Sequence, residues 1–389
     1  MSLKRGDFMQ PSDRSRLVIS TVGASLLYQG VDQTLRGTLN RLANVPSLSP
    51  EEATALAPQI DHARTILQTT DVAMIRRASA ELNGIYALYD GQIARGARDS
   101  HVLIATDTAF GRQCAELVEA HLRAVGIGSV EVKVIPKLTA ADSGAFQEGC
   151  KELINWCTSY IPAFHDQGYT VIFNLVAAFK ALQGYLNTIG MFYADQIMYL
   201  FEGPSAVPIF IPRLPIRIDI EGLRTFSVPL AMMAEGNALL PLDDLRNLPE
   251  TLYNQDGSDG CISDWGNLVW NQMRADVLSQ NLLNLPRLVY EASFQQDYAR
   301  MRVASDRIRL QTKLALVATK LVESNGDSSV LKGGTSGGIL YDNYVGKGDP
   351  GLPIGHFRIS DGLRVSCLAR NGLLSLRHVG SHDYVNTNP

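Results

Sequence analysis

No apolar run in the 389 residues approaches the ~20 needed to cross a bilayer, and the opening MSLKRGDFMQPSDRSR lacks the apolar core of a secretory signal. A cytoplasmic protein with no membrane partner is the expectation. Cysteine is scarce: five residues, at 114, 150, 157, 261 and 367, with no paired metal-type spacing. That excludes a disulfide scaffold and a cysteine-built zinc module, and Cys150 and Cys157, two helical turns apart, are expected as buried thiols. The phosphate loop G-x-x-x-x-G-K-[ST] and the dinucleotide fingerprint G-x-G-x-x-G are both missing. Neither metal nor cofactor is expected. The composition, 46% apolar and 19% charged with 33 Gly and 17 Pro, excludes a collagen-like or largely disordered chain.

What is present is length for two or three domains and an uneven charge. Residues 296–389 hold 12 Lys and Arg against 8 Asp and Glu, a net of +4, whereas residues 1–295 hold 23 against 31, a net of −8. Three of the seven histidines also fall in residues 356–389. An acidic body with a basic, histidine-bearing tail places an anionic polymer at the tail.

The first 225 residues alternate short apolar strands (RLVIST 16–21, HVLIAT 101–106, SVEVKVI 129–135, YTVIFNLV 169–176, QIMYLFE 196–202, VPIFIP 207–212) with helical patterns, including 107–126 opening on an Asp cap, 142–165 and 179–192. This predicts an α/β, Rossmann-like domain with a mainly parallel sheet over residues 1–225. Residues 226–286, broken by Pro229, Pro241 and Pro249, read as a helical connector, with YNQDGSDG (253–260) as a loop. Residues 287–389 read as an α+β domain: a strand at 287–294 and one long helix from about 296 to 324. Strands at 356–360, 363–369 and 373–379 follow, joined at Asp361-Gly362 and Asn371-Gly372.

Open parallel sheets bind ligands beyond the carboxyl ends of their strands, where helix N-termini offer free N–H groups to anions. Two such ends carry small or hydroxyl residues: Thr21-Val22-Gly23-Ala24-Ser25, and Asn174 through Ala177 and Ala178 to Lys180.

These stretches carry a resemblance. Ser20-Thr21-Val22-Gly23-Ala24-Ser25-Leu26-Leu27, Thr106-Asp107-Thr108-Ala109-Phe110-Gly111-Arg112, Phe146-Gln147-Glu148-Gly149 and the block IFNLVAAFKALQGYLNTIGMFYADQIMYLFE (172–202) together resemble the CRISPR-associated CARF family. The resemblance implies a homodimer through this domain that senses a cyclic oligoadenylate, with cyclic tetra-adenylate as activator ahead of the hexa-adenylate. It implies a cradle from Thr21, Val22, Gly23, Ala24, Ser25, Asp107, Thr108, Asn174, Ala177, Ala178 and Lys180. Where the family has Thr-Gly-Gly before Phe-Lys, this chain has Val176-Ala177-Ala178, whose added methyl groups crowd a phosphate against the backbone.

The tail resembles RelE-type mRNA interferases through Gly362-Leu363-Arg364-Val365 and Val379-Gly380-Ser381-His382-Asp383-Tyr384. Metal-independent RNA cleavage needs a base for the 2′-OH, charge for the phosphorane and an acid for the leaving 5′-oxygen. Arg364, at the family's arginine position, is the first candidate for that charge and Arg358 the second. His382 is the leading acid or base, His356 shares a strand face with Arg358, and Tyr384 is placed to position or stack on a base. By strand alternation His378 shares a face with Leu374 and Leu376 and is expected in the core. The resemblance implies cleavage of mRNA on the ribosome. Two other readings stay open: a ring nuclease degrading the messenger through Ser25 and Lys180, and a ligand-gated binding protein without nuclease activity.

Overall fold

Apolar side chains at almost every position of the first strands require cover on both faces, and the structure supplies it. A computed structural model describes residues 14–69, 71–177, 179–201, 207–332, 339–349 and 352–389. The chain divides into two compact units, Met1–Ile216 and Arg217–Pro389.

Unit 1 is an α/β, Rossmann-like fold. Its strands are β1 (Arg16–Thr21), β2 (Ser100–Ala105), β3 (Ser129–Val134), β4 (Thr170–Asn174), β5 (Gln196–Leu200) and β6 (Pro208–Pro212), in the sheet order β3-β2-β1-β4-β5-β6. All neighbouring pairs are parallel except β5 with β6. The helices are α1 (Gln33–Leu42), α2 (Pro50–Gln68), α3 (Val72–Ala78), α4 (Ala80–Leu88), α5 (Ala109–Ala124), α6 (Ser143–Asp166) and α7 (Lys180–Tyr193). Their starts are written locally. Ser49 and Glu52 make a reciprocal capping box on α2, and Thr108 and Asp142 cap α5 and α6. Leu17, Val18, Ile19, Leu103 and Phe173 are fully buried, each contributing about 1.5–3 kcal/mol by leaving water. Cys150 and Cys157 are buried and lie outside any disulfide.

Unit 2 begins with α8 (Ile220–Leu223), α9 (Ser227–Gly236) and a small sheet of β7 (Leu240–Pro241), β8 (Tyr253–Asp256) and β9 (Asp259–Ile262). The stretch 253–260 is therefore a β-hairpin turning at Gly257 (φ 62°), not a loop; its polar residues are solvent-facing strand positions. Next come α10 (Asp264–Ser279), β10 (Leu288–Tyr290), α11 (Ala292–Arg300) and α12 (Ala304–Glu323). The strand expected over 287–294 thus ends at Tyr290, because Phe294 and Tyr298 enter the core at helical spacing. The expected single long helix is two. It breaks at Met301 to Val303, where Arg307 donates to the freed Met301 carbonyl (2.7 Å) and caps α11.

The meander completes unit 2: β11 (Asp342–Asp349), β12 (Leu352–Arg358), β13 (Leu363–Arg370), β14 (Leu373–Ser381) and a short α13 (His382–Thr387), with sheet order β10-β14-β13-β12-β11. Asn371 and Gly372 both take left-handed backbone (φ 54° and 72°), the tight hairpin their sequence favours. Asp361 and Gly362 do not; their turn is closed by the Leu363 N–H on the Ser360 carbonyl. Residues 226–286 and 287–389 share one core, in which Trp270 and Met273 are clustered with Phe294, Leu314 and Phe357. Among the described residues no helix is long and apolar enough to cross a membrane.

Candidate functional site

In unit 1 the chain builds outward from β1 to β2 and β3, then returns to the other side of β1 to lay down β4. The switch point lies between β1 and β4, where open α/β sheets leave a crevice at the carboxyl edge. The two tips singled out in the sequence sit on these two neighbouring strands: Ser20 pairs with Asn174. They also touch beyond the strands, since a Cβ built on Gly23 lies 3.9 Å from the Ala177 Cβ.

Most of the expected cradle residues are engaged by the fold. Asn174 is buried and donates through Nδ2 to Ser20 Oγ (3.1 Å) and the Glu81 carbonyl (3.2 Å). Gly84 of α4 makes this possible, because a Cβ there would stand 2.3 Å from Asn174 Oδ1. Thr21, Val22 and Ala177 are buried, and the Val22 N–H donates to the Ile104 carbonyl. Thr108 Oγ1 accepts from the Gly111 N–H at 3.0 Å. Asp107 binds Arg112 (2.8 Å) and the Lys137 N–H (2.9 Å). Gly23, Ala24 and Ser25 are half-buried, and Lys180 is exposed. Ala178 lies outside the described residues. The 3₁₀ turn Ser25–Tyr28 and helix α7 both begin without a side-chain cap. Free N–H groups therefore collect at this edge, beside the Lys180 ammonium.

One acid lies underneath. Glu81 is fully buried, and burial pushes its carboxyl up to about 7. The N–H groups of Glu81 and Gly23 and the Ser79 hydroxyl offset that in part, yet neither carboxyl oxygen gains a partner with hydrogen-bond geometry among the described residues.

In unit 2 the candidate residues meet on one sheet face. Asp342 on β11 stands directly opposite His356 on β12, His356 opposite Ser366 on β13, and Ser366 opposite His378 on β14. In the next row Arg358 stands opposite Arg364, which stands opposite Gly380. Directly opposed residues share a face, so the row is contiguous. The expectation that His378 belongs to the core is overturned. Ser366 pairs with His378 but Cys367 pairs with Leu376, so Arg377 is the extra residue of a β-bulge. The bulge resets the alternation: Leu374, Leu376 and Val379 face the core and His378 faces out with Arg364.

His378 is held from α11, where its Nδ1 meets Asp297 Oδ2 at 2.9 Å. Tyr384 donates its hydroxyl to Asp297 Oδ1 (2.9 Å), and its ring lies edge-on to His378. Gly380 admits that ring, since a Cβ there would come within 2.6 Å of it. Burial and then Asp297 raise the Tyr384 phenol above its usual range. On the other side Tyr344 stacks on His356, with ring centres 4.3 Å apart. Burial and then the Arg364 guanidinium hold the His356 imidazole below its usual range, against the pull of Asp342. His382 is on α13, half-exposed, beside Asp383 (3.0 Å) and Asn386 (3.1 Å), and its charge is felt at His356. Arg358 is exposed, 3.5 Å from Asp361.

Several polar atoms of this face have no hydrogen-bond partner among the described residues: Ser366 Oγ, His356 Nδ1 and Arg364 Nε. Two guanidiniums placed directly opposite each other repel. Together with orphaned donors, that is the electrostatic shape of an anion site. Among the described residues no group of His, Cys, Asp and Glu is placed to hold a metal ion.

Residues 76–214 match the family model described as CRISPR-associated protein (Cas_APE2256). The match supports a CRISPR-associated protein. It takes in the Asn174–Lys180 tip and stops short of unit 2. No curated protein matches the chain.

Asp297, Ser366, His378 and Tyr344 are missing from the candidates the sequence suggests. The pairing of Asp297 with His378 spans 81 residues and depends on a bulge, and neither leaves a local signal.

Proposed function

We propose that this CRISPR-associated protein is a ligand-gated ribonuclease. Unit 1 senses a cyclic oligoadenylate, foremost the tetra-adenylate, and unit 2 cuts messenger RNA without a metal, on the ribosome. The observation that carries the reading is the row of His356, Ser366 and His378 beside the opposed Arg358 and Arg364. That row combines groups that accept and donate protons near neutral pH with two permanent cations for the phosphorane charge. Support for the sensing half is the switch-point edge, where uncapped N-termini and Lys180 offer donors to a phosphate chain. In a twofold dimer an even-numbered ring matches an isologous cleft, and ligand binding shifts the tail toward its competent state.

The test has two arms. Cyclic tri-, tetra- and hexa-adenylate are compared for their effect on the melting temperature of the full chain, which rises for a ligand of the folded state. The same rings are then added with the protein to a translating extract. The tetra-adenylate is expected to raise the melting temperature and to trigger loss of message. A ring that binds while message survives leaves the sensor and removes the nuclease.

A further inference from the structure

Three imidazoles, those of His356, His378 and His382, lie on or beside the sheet face of unit 2. His382 is the residue the tail motif favours, yet it lies off the sheet on α13, beside Asp383 and Asn386. Two imidazoles on the sheet are better placed. His356 and His378 are the cross-strand partners of Ser366 on its two sides. They therefore stand two strand spacings apart, about 10 Å between backbones. Ser366 between them is fully buried, and its Oγ has no partner among the described residues.

We infer that His356 and His378 are the base and acid of this site and that Asp297 is the positioning residue for His378. The inference rests on the ribonuclease reading above. The direction of transfer follows from the surroundings of each ring. His356 faces Arg364 from β13, Asp342 from β11 and the charge of His382 from α13. Burial and Arg364 keep it neutral, ready to accept. His378 faces the Asp297 carboxylate from α11 and the Tyr384 hydroxyl from α13, with Arg300 acting on Tyr384. Asp297 fixes the ring through Nδ1 and so leaves Nε2 as the nitrogen that can hand over a proton.

The step balances without a further reactant. His356 takes the 2′-hydroxyl proton as the O2′–P bond forms. The P–O5′ bond breaks, and His378 gives its Nε2 proton to the departing O5′. The products are a 2′,3′-cyclic phosphate and a 5′-hydroxyl; solvent then returns both rings to their starting states. Arg364 faces the phosphorane oxygens throughout.

The full chain is assayed with cyclic tetra-adenylate on ribosomes programmed with a labelled message, across pH. His378→Gln is expected to cut at least about a hundred-fold more slowly. Asp297→Asn is expected to slow cleavage of the ordinary message about ten-fold, because the ring it holds through Nδ1 loses its orientation, and to regain the wild-type rate where the leaving group needs no acid. A message carrying a bridging 5′-sulfur at the mapped cut releases a thiolate that needs no acid. On it His378→Gln regains the wild-type rate and His356→Gln does not. Wild-type cleavage together with no slowing in Asp297→Asn, or with no rescue by sulfur, overturns the assignment. If His378→Gln does not fold, the isosteric Asp297→Asn, assayed on both messages, decides alone. A wild-type protein that leaves the message whole overturns the nuclease reading, and the acid–base pair with it.

Discussion

At the strand tips of unit 1 most polar side chains are tied to the fold, and the buried atoms without a partner among the described residues are oxygens (Thr21 Oγ1, Asn174 Oδ1 and both of Glu81), while on the sheet face of unit 2 they include the Arg364 Nε donor. Asn174 is tied to Ser20 and the Glu81 carbonyl, Asp107 to Arg112 and Lys137, and Thr108 to its own helix. Such an edge offers backbone N–H groups and one ammonium, which suit a ligand that is bound and held. On the other face, Ser366, His356 and Arg364 keep unpaired atoms beside two opposed guanidiniums. Unpaired groups in a fixed place are costly in the resting protein, and they are what a developing charge can use. Leftover oxygens lie beneath the edge of unit 1, whereas a leftover guanidinium donor suits a developing negative charge.

The sharpest break of that comparison is Arg364→Ala. It should lower activated message cleavage by about 10²–10³-fold and leave the melting-temperature rise caused by cyclic tetra-adenylate unchanged. A loss of that rise would mean the arginine serves the sensor or its fold.

Next in size is Glu81→Gln, which tests whether the tip of unit 1 carries a cost of its own. Folding raises the proton affinity of Glu81 from 4.5 to about 7. Its contribution is therefore intact below the ordinary carboxylate range and is lost as pH rises toward about 7. The variant should be more stable than wild type at pH 8 by about 3 kcal/mol and no more stable at pH 4, as read by denaturant unfolding. Equal stability at pH 8 would place the carboxylate in a solvated or paired setting.

Gly84→Ala comes third. Its methyl group would press on Asn174, so about 1–3 kcal/mol of stability should be lost, with weaker binding of the ring because the β4 tip moves. The smallest effect belongs to Lys180→Ala. Removing one exposed ammonium should weaken cyclic tetra-adenylate about ten-fold, with a shallower salt dependence and no change in thermal stability.

How much of this was legible in the sequence follows from the range of each interaction. The strands of unit 1 are apolar runs with helices between them, and their order of appearance already implied a parallel sheet. The strand tips are contiguous motifs, so their meeting at the switch point needed only the rule for open sheets. The break between α11 and α12 was hidden, because Met301 and Val303 continue an apolar pattern and only Arg307 capping the Met301 carbonyl reveals the end. β11 was hidden among glycines. The sheet-face site was half visible: His356, Arg358 and Arg364 follow from alternation on two strands. Simple alternation puts His378 on the wrong face, because one bulged residue inverts the parity of its strand. Asp297 is a single acid in a helix, and nothing near it in the chain points to a histidine 81 residues away.

The most direct measurement is the chemistry of the ends. The full chain is incubated with programmed ribosomes and an end-mapped message, with and without cyclic tetra-adenylate. The expected result is a cut seen only with the ring present, leaving a 2′,3′-cyclic phosphate upstream and a 5′-hydroxyl downstream. A message that stays whole while the ring is bound, or ends that carry a 5′-phosphate, would contradict the account.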